Sequence, residues 1–417
     1  MPQPAQNQVH GTRTPSAEPA LWNRRFVFLL ITQAGFGFAH SSFLMLPKFL
    51  ATELAAGPDA IGRVVAASGI SIVVFLVPAG TMVDRYGRKG FLTAGAFLMA
   101  ITCAAHIFVD EIGPGLYALR ALQSLAFAYA YAAGAALCID AAPPARLGQA
   151  IGLFGLCYVF MGAFAPAAVE TIVASSGWNA AFTMAALAAL LCVVLSLFVN
   201  ESPPAQEAET QTGLLTVLRQ KEVLHGALVM GLLGIAFGCA FNFYQPFALS
   251  LGIDQLRDFF IANSVASAGV RLSIGPYVDR LGLRRVSLYS LALYIGVVFS
   301  MIWLDVVGLI LIGLTMGVAH GLFFPAYSGV ILQGAPSAER GRRLATIQGA
   351  LNLGMGAGGV ALGIIAAHFG YPLIFALSAG ALVLAGFVIL MGGESGEATA
   401  PFPSRAPGDQ IAKKSAP

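Results

Sequence analysis

Uninterrupted apolar runs of about twenty residues recur along almost the whole chain, and no other feature limits its possible folds so severely. Inside a bilayer each backbone amide must find its partner within its own segment, so runs of this length read as membrane-spanning helices. Reading between charged and Pro/Gly-rich breaks gives twelve of them, at 26–49, 62–82, 90–109, 114–139, 148–171, 177–199, 223–249, 259–278, 286–304, 306–333, 344–367 and 371–391. Composition closes off the alternatives. The chain is 57% hydrophobic and 10% charged, whereas a soluble domain carries roughly 25% charged residues and needs them to cover its surface. A soluble enzyme, a disordered scaffold and a nucleic-acid binder are thereby excluded. The expected fold is an all-α polytopic membrane protein, with the lipid bilayer as its solvent.

Charge distribution gives the expected topology. Of the 23 Lys and Arg residues, 18 fall on one side of the twelve spans, and Lys48, Arg63 and Arg257 fall on the other. The basic side is expected to be cytoplasmic, with both termini inside a cell (inner) membrane. The segment 1–25 is polar and lacks the basic–apolar–small order of a cleavable signal, so it reads as a flexible tail, as does 392–417. Between the sixth and seventh spans, 200–222 carries Pro203, Pro204 and four glutamates and reads as a linker. It separates a 26–199 bundle of six helices from a second six-helix bundle at 223–391.

The two halves repeat one another. Gly80-Thr-Met-Val-Asp84-Arg85-Tyr-Gly87-Arg88-Lys89 follows the second span, and Gly275-Pro-Tyr-Val-Asp279-Arg280-Leu-Gly282-Leu-Arg284-Arg285 follows the eighth. Phe38 and Pro47 are echoed by Phe237 and Pro246, and Gly177-Trp178 by Gly370-Tyr371. Three matches in one order mark a duplicated six-helix unit.

The duplicated Gly-x-x-x-Asp-Arg-x-Gly loop resembles the signature loop of the major facilitator superfamily (MFS). Arg120 and Gln123 are similar to that superfamily's fourth-helix arginine motif, with Ser124 where a glycine usually follows. The stretch Ala165-Pro166-Ala-Ala-Val169-Glu170 keeps the proline of the fifth-helix Gly-Pro-x-x-Gly-Gly segment of drug–proton antiporters and lacks its glycines. The resemblance implies two pseudo-symmetric six-helix bundles, with the first, fourth, seventh and tenth helices lining a central cavity.

Two sets of candidate residues follow. A conformational gate is expected at Gly80, Asp84, Arg85, Gly87 and Arg88, with its repeat at Gly275, Asp279, Arg280 and Gly282. Gly80 would allow close helix approach, and Asp84 would face the start of the eleventh helix, behind Arg340 and Arg343. Asp279 would face Arg146 at the start of the fifth. Charged and polar groups at bilayer depth form the second set, a cavity for solute or protons: His40, Arg120, Gln123, Asn242, Gln245, Arg271 and His320. Glu170 could carry a proton, although a water-exposed helix end is its expected home, and His106 reads as structural.

No acid lies near the centre of a span, five scattered cysteines form no disulfide or metal pattern, and no cluster has catalytic spacing. No enzyme activity, cofactor, metal or nucleic-acid partner is expected. The expected protein is a monomeric secondary transporter of a small amphipathic organic solute, preferably an exporter, with proton coupling open. Import or facilitated passage of a metabolite or organic anion is the nearer alternative, and a non-transporting membrane sensor the more distant one.

Overall fold

The computed structural model describes residues 21–143, 146–199, 201, 219–273 and 281–391, and all regular structure among them is helical. Helix α1 (Arg24–Ser42) continues through a 3₁₀ turn, Phe43–Met45, into a short helix, Leu46–Thr52. Then come α2 (Pro58–Tyr86), α3 (Arg88–Ala105) and α4 (Pro114–Ala141). Leu147–Leu197 is one long element that kinks at Gly177 and so supplies two spans, α5 (147–176) and α6 (178–197). The second half contains α7 (Lys221–Ser250), α8 (Arg257–Ser273), α9 (Leu283–Ser300), α10 (Val306–Leu332), α11 (Ser337–Phe369) and α12 (Tyr371–Met391). Ten elements are long and apolar enough to cross a membrane. The kinked element counts twice and α8 is the twelfth span. Within the eighth expected span, 274–278 lie outside the described residues, as do Gly275, Asp279, Arg280, most of the 200–222 linker and the 392–417 tail.

Local chemistry sets the helix boundaries. The Asn23 side chain accepts from the Phe26 amide at 2.8 Å and caps α1. Asp305 does the same for α10, accepting from Gly308 N at 2.5 Å. Prolines open α2 and α4, where a missing N–H costs nothing. Gly87 (φ +102°) and Gly282 (φ +86°) make the sharp turns before α3 and α9. A side chain there would be strained, so the repeated loop is fixed in sequence by a backbone requirement.

The two halves repeat their packing as well as their motifs. In the first, α1 packs on the α5–α6 unit, α4 on α2 and α3, and α3 on that same unit. In the second, α7 packs on α11 and α12, α10 on α8 and α9, and α9 on α12. Large apolar side chains remain on the outside, among them Leu187 and Leu191 on α6, Val307 and Leu311 on α10 and Phe387 on α12. A soluble protein would aggregate through such a belt; in hydrocarbon it is the wetted surface.

Across the halves, α2 packs against α11 and α5 against α8. Glycines set the first contact. A Cβ built on Gly62 would run into the Gly359 carbonyl, one on Gly363 would lie 2.7 Å from the Pro58 carbonyl, and one on Gly69 would lie 3.2 Å from the Asn352 carbonyl. The glycine-rich stretch of α11 thus faces two ways, since Gly354 and Gly358 meet Gly231 and Ile235 of α7 instead. Such close backbone approach is how helices associate where hydrophobic burial gives no advantage.

Candidate functional site

A cavity of about 160 Å³ lies between the halves. Its walls come from α1 and its continuation (His40, Phe43, Pro47), α2 (Ser68, Ile72), α4 (Arg120, Gln123, Ser124), α7 (Asn242) and α11 (Asn352, Met355). His40, Arg120, Gln123 and Asn242 of the expected set are therefore brought together. Gln245, Arg271 and His320 do not line it, and α10 gives it no residue, where the resemblance implied one. A larger hollow, about 260 Å³ between α9 and α10, has Leu293 and Leu311 on its walls and no charged group. It opens on the lipid-facing surface, where an acyl chain fits better than a polar solute.

Each polar wall residue is held by its neighbours. The Arg120 guanidinium donates from Nη1 to Gln123 Oε1 one turn on and lies 5.9 Å from the centre of the Phe43 ring. The single Ser124 hydroxyl hydrogen is shared between the Arg120 carbonyl (3.0 Å) and the Ser68 carbonyl (3.1 Å), so the residue that replaces the motif glycine bridges α4 and α2. The His40 ring stacks on Phe127 with centroids 4.2 Å apart. Asn242 and Asn352 return their amide N–H groups to their own helices, at Gly238 O (2.8 Å) and Gln348 O (2.9 Å). On this wall, three buried nitrogens have no hydrogen-bond partner among the described residues: Arg120 Nε, Gln123 Nε2 and His40 Nδ1.

The displaced candidates have identifiable surroundings. His320 sits among aromatic rings, 4.8 Å from Phe237 and 6.3 Å from Tyr294, and its rotation on α10 turns it into the second half. Arg271, near the described end of α8, has its Nε shut off from solvent. Gln245 is fully buried and joins the halves instead, donating to Leu44 O (2.7 Å) and accepting from Lys48 N (3.2 Å). His106 packs between Phe43 and Phe182, with Nδ1 2.7 Å from the Thr102 carbonyl.

Above the cavity, Lys48 and Glu170 form a clasp between the halves. Glu170 is 8% exposed, so the water-exposed home expected for it is corrected. Its carboxylate accepts from Lys48 Nζ (2.5 Å), Leu256 N (3.0 Å) and Arg257 N (2.9 Å). The last two amides stand at the start of α8, so an acid from the first half caps a helix of the second. Lys48 Nζ also donates to Asp254 O (2.7 Å), and Arg257 to Thr171 Oγ1 (3.2 Å). The Lys48 end of the molecule is closed by these bonds.

At the opposite end, the Arg88–Asp140 pair and the bonds of Arg340 and Arg343 lie within one half each, while the Asp84 side chain, like Gly275, Asp279 and Arg280, is outside the described residues. Arg88 pairs with Asp140, and Glu201 accepts from the Arg88 amide (2.5 Å) and so caps α3. Arg340 donates to Ala335 O (3.2 Å), and Arg343 to Ile331 O (3.2 Å) and Glu339 (3.3 Å). Arg85 lies over the Tyr86 ring at 5.3 Å, and Arg146 precedes α5 as its N-cap. Among the described residues, the close approach expected at Gly80 is absent: a Cβ there would meet nothing within 4 Å, and the same holds at Gly152 and Gly155 of α5.

Sequence reasoning missed Lys48 as a clasp residue and Asn352 and Ser68 as wall residues. A signal existed for two of them. Lys48 follows the repeated Pro47 at the basic-poor end, and Asn352 is an amide, one turn after Gln348, at the start of the glycine-rich stretch of α11.

The Major Facilitator Superfamily model matches residues 27–336 and 259–415. The uncharacterized MFS-type transporter YfiS of Bacillus subtilis (strain 168) is 24% identical, over 82% of this chain and 86% of its own. The staphylopine export protein of Staphylococcus aureus is 22% identical, over 80% of this chain and 86% of its own. Among solved structures, a mutant of the nucleoside transporter NupG superposes with a TM-score of 0.74 at 16% identity, over 88% of this chain and 99% of that one. The human organic anion transporter MFSD10 gives 0.68 at 16%, over 89% and 100%. At such identities the structures share the fold alone.

Proposed function

The chain belongs to the major facilitator superfamily of transporters, and on that premise we propose that it carries a small amphipathic organic solute by alternating access. One observation carries the reading: a cavity between the halves, with Arg120 and three side-chain amides on a largely apolar wall, is sealed at the Lys48 end by hydrogen bonds that run from one half to the other. Such a seal opens when the halves rock apart there, and the cavity then changes the side it faces. The charge bias supports a reading with the Lys48 end outside and the Arg88 end in the cytoplasm. Both termini are accordingly cytoplasmic in a cell membrane, and the described conformation is closed outward.

Export is the preferred direction, since one relative is named as an exporter. Import or facilitated passage of an organic anion is the second reading, favoured by Arg120 on the cavity wall. Purified protein in liposomes, assayed for solute flux with and without a pH gradient, tests transport, its coupling and its direction. No flux of any solute under either condition would favour a membrane sensor.

The repeated loops act in this scheme as latches for the opposite state. With the cytoplasmic side shut, Asp84 faces the N-terminus of α11 and Asp279 that of α5, each gaining about 1 kcal/mol from the helix dipole and nearby arginines. Asp84→Asn keeps side-chain size and removes the charge. It is expected to raise cytoplasmic labelling of a Met355→Cys reporter in the cavity roughly fivefold to tenfold, each tenfold corresponding to about 1.4 kcal/mol. Unchanged labelling reduces the loop to a topology signal.

A further inference from the structure

We propose that the solute is an organic monocarboxylate bearing a neutral hydrogen-bond donor, seated with its carboxylate on Arg120 and its donor on Asn242 and Asn352. The inference rests on reading the cavity as the transport site.

The first-half wall presents donors. Arg120 spends Nη1 on the Gln123 carbonyl oxygen, which leaves that amide its NH₂ group and one lone pair. Gln123 is 2% exposed, and its Nε2 meets no oxygen acceptor among the described residues, only the buried Cys103 thiol beside it; Arg120 Nε has no partner there either, and His40 Nδ1 has none in whichever role its tautomer gives it. Buried donors without acceptors are costly, and an anionic oxygen pair satisfies them best, since a guanidinium fork matches it in plane.

The second-half wall offers the complement. Asn242 and Asn352 both commit an amide N–H to a carbonyl of their own helix. Each retains an Oδ1 acceptor for a hydroxyl or amide N–H. A solute that bridges the walls therefore meets donors from one bundle and acceptors from the other, as expected of a ligand whose binding couples the two.

Charge narrows the class further. Among the described residues, Arg120 is the single Lys or Arg on the cavity wall, and no Asp or Glu stands there. A dianionic phosphate would bring a second negative charge with no partner, and a free amine would bring a positive charge beside Arg120. The remaining wall, including Phe43, Ile72 and Met355, is apolar. At about 160 Å³ the space suits a metabolite-sized molecule and lies below the 300 Å³ or so at which drug pockets begin.

The test is ligand-dependent melting of the purified full chain in lipid nanodiscs, at fixed salt. The probes are hydroxycarboxylates graded in size, mandelate among them, with phenylacetate, mandelamide, 2-amino-1-phenylethanol, inorganic phosphate and chloride as comparators. At least one hydroxycarboxylate is expected to raise the melting temperature saturably and phenylacetate to do so more weakly. The amide, the amine and the inorganic anions are expected to leave it unchanged. Arg120→Gln should abolish the shift and Arg120→Lys restore part of it, while Asn242→Leu should bring mandelate down to the level of phenylacetate. If a variant fails to fold, the probe series on the unaltered protein still decides. No shift from any hydroxycarboxylate, or an equal shift from the amide, the amine, phosphate or chloride, overturns the proposal. Binding without liposome flux of the same compound overturns the transport reading and leaves the site standing. Flux of a neutral solute that survives Arg120→Gln leaves transport standing and overturns the carboxylate class.

Discussion

Glu170→Gln is expected to turn the transporter outward. In the described state the carboxylate sits at 2.5 Å from Lys48 Nζ, with the two side chains 9% and 13% exposed. Glutamine keeps the size and one carbonyl acceptor but leaves the ammonium without its counter-charge in a nearly closed site. Removing one partner of a buried pair costs about 3 kcal/mol at the low end of the usual range. That cost falls on the closed state alone, because opening the Lys48 end returns the ammonium to water. A shift of this size is roughly a hundredfold in population. It is read as labelling of Met355→Cys by an impermeant reagent from the Lys48 side, in a Cys157→Ser background because Cys157 is the one cysteine not fully buried.

Two double variants separate charge from geometry. Lys48→Met with Glu170→Gln removes the lone cation and keeps an acceptor for the Leu256 and Arg257 amides, so labelling should fall most of the way back. Lys48→Glu with Glu170→Lys preserves a pair of opposite charges. It nevertheless points an ammonium at two N–H donors and the positive end of α8, so it should not rescue. Rescue by the charge swap, or no change in Glu170→Gln alone, would show that the clasp does not set the conformational balance.

How far the sequence carried depended on whether a feature is local. Helices were legible because a span is a contiguous run, and the repeat was legible because it rests on backbone geometry. Gly87 with Gly282, and Gly177 with Gly370, were read as echoes and all four take positive φ. The clasp was not legible. Lys48 and Glu170 are 122 residues apart, and Glu170 spends two of its bonds on backbone amides, which have no sequence signature. Gln245 and His320 failed for a different reason. A sequence places a residue at a depth in its helix but leaves open which neighbour the helix turns toward. Gln245 turns to Leu44 and His320 to Phe237, so neither reaches the wall that Asn242 and Arg120 share.

The glycines of α2 should bias the transporter in opposite directions, depending only on which end they occupy. A Cβ at Gly62 collides with the Gly359 carbonyl of α11, and backbone cannot swing aside as a flexible side chain can. Gly62→Ala therefore penalises the state closed at the Lys48 end, by about 1–3 kcal/mol as overpacking usually does. At Gly80 a Cβ meets nothing in this state, so Gly80→Ala leaves it unharmed. Its cost arises when the Arg88 end closes and α2 and α11 approach there, as the signature loop requires. The helix-propensity gain of alanine over glycine, roughly 0.5–1 kcal/mol, is common to both conformations and cancels between them. Gly62→Ala is thus expected to raise labelling of the cavity reporter from the Lys48 side and Gly80→Ala from the Arg88 side. Gly234→Ala, whose Cβ would strike the Leu351 carbonyl within the second half, serves as the control. That contact persists however the halves rock, so the variant should lower the melting temperature and leave the labelling ratio alone. If Gly62→Ala and Gly80→Ala move the ratio the same way, the two ends of α2 are not closing in turn, and the rocking motion is wrong for this chain.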